Sequence, residues 1–236
     1  MTQTIEKKNI KLIVVDIDGT LLNSKMQLSE RNEKALKAAA AMGVQIAFAT
    51  GKTYNAAKHL FEKLELKAPG IFVQGLVTYD ANGNITHQQA LSTAVCRQVI
   101  TFAEERGYFI MAYSGARVMT RTYNKRHFED MAKYHETMEA VGSLYNIVGE
   151  MPINKLVAIG EDGRAVKALR WQLNAMLDST ARVTQAGIAT MLEVLPAGAS
   201  KGTALKMLTK DLRIPVDQVM AFGDAENDIE MIEFAG

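Results

Sequence analysis

The sequence predicts a parallel α/β core interrupted by a second, inserted α/β unit, on three observations. Short apolar strand patterns alternate with amphipathic helical ones over residues 11–73, which implies a parallel sheet covered by helices on both faces. An Asn82-Gly83 turn then breaks that rhythm and opens a stretch of mixed hairpin and helix patterns. Beyond Pro196-Ala197-Gly198-Ala199-Ser200, a plausible return linker, the strand and helix rhythm resumes. The expected division is a core of residues 1–81 and 194–236 with an inserted domain at 82–193.

Each element follows from its local pattern. Ile13-Val14-Val15 is a strand, ended by Asp16-Ile17-Asp18-Gly19-Thr20. Ser29 caps a helix running to about Met42, with Gly43 as its terminator. Val44 to Ala49 reads as a buried strand, and Thr50-Gly51-Lys52-Thr53 as the turn into a helix with Ala57, Leu60, Phe61 and Leu64 on one face. Pro69-Gly70 breaks that helix before the strand Ile71-Phe72-Val73. Val77–Tyr79 and Ile85–His87 flank the Asn82-Gly83 turn as a hairpin. A helix over 92–106, a strand near 108–113, a polar and aromatic stretch to about Val148, a strand at 155–159, a helix at 165–177 and strands at 183–184 and 191–195 complete the insert. Residues 201–212 form a helix with Ala204, Leu205 and Leu208 inward, and 219–222 a fourth parallel-type strand.

Composition narrows the function classes. Of 236 residues, 48% are hydrophobic and 22% charged, as in an ordinary globular protein. A net charge of +1 gives no global basic field for nucleic acid or an anionic membrane. The single cysteine, Cys96, excludes an internal disulfide, fits a reducing cytoplasm, and falls on an apolar helical face with Val95, Val99 and Ile100. The first ten residues lack the apolar core of a signal peptide. No stretch approaches the roughly 20 apolar residues of a membrane span. His59, His87, His127 and His135 show no paired metal-ligand spacing.

Chemistry concentrates at the strand ends. In a strand, Asp16 and Asp18 share a face, and the glycine after them curls the backbone so that a carbonyl joins the carboxylates. Such oxygens are the ligands a hard cation such as Mg²⁺ prefers. Sites in open α/β sheets form at the carboxyl ends of the strands, and there the sequence places Asp16, Asp18, Thr50, Asp224 and Asp228, with Lys201 at the start of the helix just ahead. A phosphoryl group needs an in-line nucleophile, neutralisation of its negative charge and a proton for the leaving oxygen. A carboxylate serves as nucleophile, and an ammonium, a hydroxyl and a metal hold the other oxygens. So many clustered acids repel one another without a cation, which implies a divalent metal.

The ordered set Asp16-Ile17-Asp18-Gly19-Thr20, Thr50-Gly51, Lys201-Gly202 and Gly223-Asp224-Ala225-Glu226-Asn227-Asp228 resembles the haloacid dehalogenase-like hydrolases. The large insert after the third strand resembles their Cof-type branch, metal-dependent phosphatases with a Rossmann-like core and an α/β cap. The resemblance implies that Asp16 is the nucleophile, forming an aspartyl-phosphate, and that Asp18 protonates the leaving alcohol and then activates water. It implies that Thr50 and Lys201 hold phosphoryl oxygens, Lys201 also pairing with Asp16, with Gly51 and Asn227 at the same substrate-binding site. Asp16, the Asp18 carbonyl and Asp224 would hold Mg²⁺, with Asp228 supporting. A cap of this size is expected to close over the core site and favour small substrates, sugar phosphates first. Two departures bear on the substrate: Lys52 stands where the family often has Arg, losing its bidentate fork, and Gln74-Gly75-Leu76 stands where Asn-Gly-Ala is common. Relatives typically continue beyond the position of Gly236 with another strand and helix, so the chain is expected to be a fragment of a longer protein.

The resulting expectation is a cytoplasmic, Mg²⁺-dependent phosphoric monoester hydrolase acting on a small phosphorylated metabolite, with neither nucleic acid nor membrane as partner. Its alternatives are a phosphomutase or phosphotransferase using the same intermediate, and a truncated, non-catalytic phosphometabolite binder. A nucleotide-binding loop at Gly51-Lys52-Thr53 is disfavoured because Ile46 stands where that loop requires glycine. In the insert, Tyr113, Arg117, Arg121, Tyr123, Lys125 and Arg126 form a basic, aromatic segment suited to touching a phosphorylated ligand.

Overall fold

The computed structural model describes residues 9–236, so most of the polar opening segment noted in the sequence lies outside the described residues. In chain order the regular elements are β1 (Leu12–Val15), α1 (Glu30–Ala41), β2 (Gln45–Ala49), α2 (Tyr54–Leu64), β3 (Gly70–Phe72), β4 (Val77–Tyr79), β5 (Ile85–Gln88), α3 (Thr93–Glu104), β6 (Phe109–Ser114), β7 (Arg117–Thr120), α4 (Lys125–Ala132) and β8 (Met138–Ala140). There follow α5 (Leu144–Ile147), β9 (Lys155–Ile159), α6 (Gly163–Leu177), β10 (Ala181–Gln185), β11 (Met191–Pro196), α7 (Lys201–Leu212), β12 (Val219–Phe222) and α8 (Ile229–Phe234). The chain divides into two compact units: one holds the residues up to Gly51 with Leu60–Thr86 and Ser200–Gly236, the other Lys52–His59 and His87–Ala199.

The first unit is built on a six-stranded sheet in the order β12-β1-β2-β3-β4-β5. The four strands from β12 to β3 are parallel, and β4 turns antiparallel to β3. Register, more than strand content, prepares the site. Val15 is level with Phe222 on one side and Phe48 on the other, so the residues that follow these three strands emerge together at the carboxyl end of the sheet. Leu12, Val14, Ala47, Ala49, Ile71 and Val219 pack on Ala204, Leu205 and Leu208 of α7 and Met231 of α8. Phe48, Phe61 and Phe72 form a ring cluster, with centroids 4.8 and 6.3 Å apart along the chain of contacts. Ser29 accepts a hydrogen bond from the Asn32 N–H (3.1 Å) and caps α1 as the pattern predicts. The hairpin strand β5 belongs to this sheet, and β12 forms its opposite edge with Met220 and Phe222 exposed.

The second unit carries a sheet in the order β10-β11-β9-β6-β7-β8, antiparallel throughout except for the parallel pair β7 and β8. Val95, Cys96, Val99 and Ile100 of α3 and Val166, Leu169, Leu173 and Leu177 of α6 form its apolar core. Cys96 is fully buried there, and burial pushes its thiol up to about 12, which leaves it inert. Other buried side chains of this unit are charged. Lys155 Nζ donates to Glu193 Oε1 (2.7 Å) and stands 4.4 Å from the centre of the Tyr113 ring. Glu136 accepts from the Thr53 N–H (2.8 Å) and hydroxyl (2.7 Å), and Lys52 Nζ donates to the Tyr134 carbonyl (3.1 Å).

The basic, aromatic segment of the insert is divided between core and surface. Tyr113 is buried. Arg117, Arg121, Lys125 and Arg126 pair with Glu139, Glu104, Glu129 and Asp130 on the surface. Among the described residues, no helix is long and apolar enough to cross a membrane.

Candidate active site

Asp16 is the first residue past β1, and its N–H donates to Phe222 O of the neighbouring strand (2.9 Å). The ladder therefore continues one residue beyond the strand and holds Asp16 beside the start of the Gly223–Asp228 loop. Lys201, the first residue of α7, places Nζ between two carboxylates, 2.5 Å from Asp16 Oδ1 and 2.7 Å from Asp228 Oδ1. All three are buried, Lys201 at 2% exposure and Asp228 at 0%. Ser200 caps α7, its hydroxyl accepting from the Thr203 N–H (3.0 Å), which fixes where Lys201 begins its climb.

The acidic loop is held from within. Asp228 Oδ2 accepts from the N–H groups of Asp224 (3.2 Å) and Ala225 (3.1 Å), so this one carboxylate both folds the loop and pairs with Lys201. Asp224 Oδ1 in turn accepts from the Thr20 hydroxyl at 2.6 Å. Gly19 makes that approach possible: its φ is +91°, and an added Cβ would lie 2.4 Å from Asp224 Oδ2. Both the left-handed backbone and the missing side chain are needed there.

Among the described residues, Asp16, Asp224 and Asp228 are acidic groups that bring ligand atoms within 4.8 Å of one another. One ammonium meets two of these carboxylates, Asp16 and Asp228. Burial pushes the Asp16 carboxyl up from 3.8 to about 6; Lys201 pulls it down, and Asp228 and Asp18 add to the rise. An all-oxygen donor set with excess negative charge suits a hard divalent cation and offers nothing to a soft one. The group thus fits the metal that the sequence implied.

The remaining residues gather around Gln74. Thr50 is fully buried just past β2; its N–H donates to Ile71 O (2.9 Å) and its carbonyl accepts from the Gln74 N–H (3.1 Å). Asn227 Nδ2 donates to Gln74 Oε1 (2.9 Å). An added Cβ on Gly51 would come within 2.8 Å of Gln74 Nε2. Asp16, Lys201, Asp224 and Asp228 are therefore joined directly, whereas Thr50, Gly51 and Asn227 are brought together through Gln74. Asp18 lies in the turn after Asp16, half-buried, with its carboxylate outside the group of three. Gln74 carried only one signal in the sequence, its departure from Asn-Gly-Ala, and nothing there tied it to Asn227.

A mostly parallel α/β sheet with a lysine and converging carboxylates at the carboxyl ends of its strands is an α/β fold whose acidic site is suited to a divalent metal. The chain belongs to the haloacid dehalogenase-like hydrolases, whose family profile matches residues 13–236. Over 97% of its length it is 34% identical to the chloroplastic endoribonuclease YBEY of Arabidopsis thaliana. It spans only 41% of that protein, whose name describes the whole. It is 27% identical to phosphatase YwpJ of Bacillus subtilis, covering 96% of this chain and 87% of that one. A haloacid dehalogenase-like hydrolase from Bacteroides thetaiotaomicron shares the fold, with a TM-score of 0.88 at 24% identity over 96% of this chain and 86% of the other.

Proposed function

We propose that this enzyme is a Mg²⁺-dependent phosphatase that hydrolyses a small phosphorylated metabolite, a sugar phosphate first, through a phosphoryl group carried on Asp16. The observation that carries this reading is the Asp16–Lys201–Asp228 chain of contacts, with Asp224 completing the acidic group. The phosphatase name of the Bacillus subtilis relative supports the reaction class.

In this reading Asp16 attacks phosphorus in line, forming an O–P bond as the bond to the leaving alcohol breaks. Asp18 gives that alcohol its proton. Water then attacks the phosphoryl group, Asp18 takes the water's proton, and the Asp16 carboxylate is restored as inorganic phosphate leaves. Thr50, the Gly51 N–H, Lys201 and Asn227 hold the nonbridging oxygens. Lys201 also keeps Asp16 ionised, since its charge offsets the burial that favours the protonated form. Asp16, the Asp18 carbonyl and Asp224, supported by Asp228, would hold Mg²⁺, which when bound supplies positive charge against the phosphoryl oxygens. The insert expected over residues 82–193 serves as the cap that selects the substrate, and the enzyme works in the cytoplasm with neither nucleic acid nor membrane as partner.

Phosphate release from a panel of phosphorylated metabolites, with Mg²⁺ and with chelator, tests this reading. It predicts release that requires Mg²⁺ and is lost in Asp16→Asn. Release that survives that substitution would contradict it.

A further inference from the structure

The turn after β3 carries three consecutive residues with positive φ. Val73, Gln74 and Gly75 have successive φ values of +52°, +63° and +90°. For β-branched Val73 a positive φ is a true outlier, and such residues persist only where surrounding contacts over-determine them. The contacts are present. The Gln74 N–H donates to Thr50 O. Gly75 lies against the Ser200–Lys201 peptide so closely that an added Cβ would be 2.2 Å from Ser200 O. The Gln74 side chain spans from Gly51 to Asn227, its Oε1 accepting from Asn227 Nδ2. One three-residue turn therefore touches the segments that carry Thr50 and Gly51, Lys201, and Asn227.

We infer that Gln74 is a positioning residue: it orients the Asn227 carboxamide toward the phosphoryl group and ties the Asn227 loop to the Thr50–Gly51 loop. This rests on the phosphatase reading for what Asn227 binds. Asn227 is exposed on a short 3-10 turn, Glu226–Asp228. A lone carboxamide there would sample several rotamers, and freezing one on substrate binding opposes affinity. Accepting one Asn227 N–H in advance fixes the plane of the amide and leaves the second N–H to donate. Because the left-handed backbone of Gln74 suits glycine, Gln74→Gly deletes the side chain while relaxing the turn, so the variant remains folded.

The test is the ¹⁵N side-chain amide signal of Asn227 in the full chain, identified by its loss in Asn227→Asp, together with KM and kcat on p-nitrophenyl phosphate. In Gln74→Gly the Asn227 signal should shift and its hydrogens exchange faster with solvent. KM should rise about 10-fold with kcat changed less than about 3-fold, the effect of one hydrogen bond lost from ground and transition states alike. Gln74→Glu keeps the acceptor and should restore the Asn227 signal. An Asn227 signal unmoved in Gln74→Gly, or a KM unmoved beside a shifted signal, would overturn the inference. If the unaltered chain releases no phosphate from any substrate, the phosphatase reading fails, while the amide signal still decides whether Gln74 orients Asn227.

Discussion

Replacing Lys201 with methionine removes one charge from the centre of the acidic group and keeps the apolar stem that packs beside it. Lysine 201 is 2% exposed and contacts Asp16 at 2.5 Å and Asp228 at 2.7 Å. Its loss leaves two buried carboxylates without their cation. Breaking a buried pair from one side costs about 3–5 kcal/mol, most of it the penalty of the stranded charge. That penalty is electrostatic, so it depends on pH. Asp16 already titrates near 6 because burial outweighs Lys201, and without Lys201 its value rises further. A raised folded value means that the protonated form is favoured in the native state, so stability is retained at low pH and lost as pH rises through the folded value. Lys201→Met should therefore destabilise the chelated protein by about 3–5 kcal/mol at about pH 7.5, and by at least about 1 kcal/mol less at about pH 5. Urea unfolding at both values, with chelator, reads this directly. Equal destabilisation at the two pH values would refute the electrostatic reasoning and leave only lost packing.

Two further outcomes follow from the same geometry. In the unaltered, chelated protein the rise of Asp16 from 3.8 to about 6 removes stability as pH climbs between those values, a contribution from this group of roughly 3 kcal/mol at 1.36 kcal/mol per unit. Mg²⁺ should accordingly raise Tm more at about pH 7.5 than at about pH 5, as thermal unfolding with and without the metal will show, and a pH-independent shift would contradict this. Gly19→Ala places a Cβ 2.4 Å from Asp224 Oδ2 at a φ of +91°. It should cost about 1–3 kcal/mol and weaken Mg²⁺ binding measured calorimetrically; unchanged affinity would show that Asp224 is not a ligand.

Much of the first unit was legible because its signals are local and strong. The apolar run before Asp16, the Ser29 cap with Gly43 beyond it, and the helix at 201–212 each announce themselves within a few residues. The strand ends fall where the chemistry required them, since four parallel strands in register leave their following residues little freedom. The insert read less well. The stretch taken as polar and aromatic holds β7, α4, β8 and α5, elements of three to eight residues whose periodicity is too brief to register. Tyr113, grouped by sequence with basic residues suited to a phosphorylated ligand, is buried beside Lys155 and Glu193, partners 42 and 80 positions away that only the sheet register brings near. The acids at the strand ends were likewise visible, and the resemblance implied that Lys201 pairs with Asp16, but its second buried partner, Asp228, was not legible, because a helix-starting lysine has the pattern of a surface residue. Gln74 marks the same limit: its role depends on three consecutive left-handed residues and on Asn227, 153 positions on.

The claim on which the account turns is that a phosphoryl group passes through Asp16. The direct measurement is peptide mass mapping after rapid acid quench of the enzyme turning over p-nitrophenyl phosphate with Mg²⁺, run beside Asp16→Asn. The account predicts a phosphoryl group on Asp16 that is absent from the variant and disappears when substrate is exhausted. Steady phosphate release with Asp16 unmodified at every quench time, or the phosphoryl group on another residue, would contradict it.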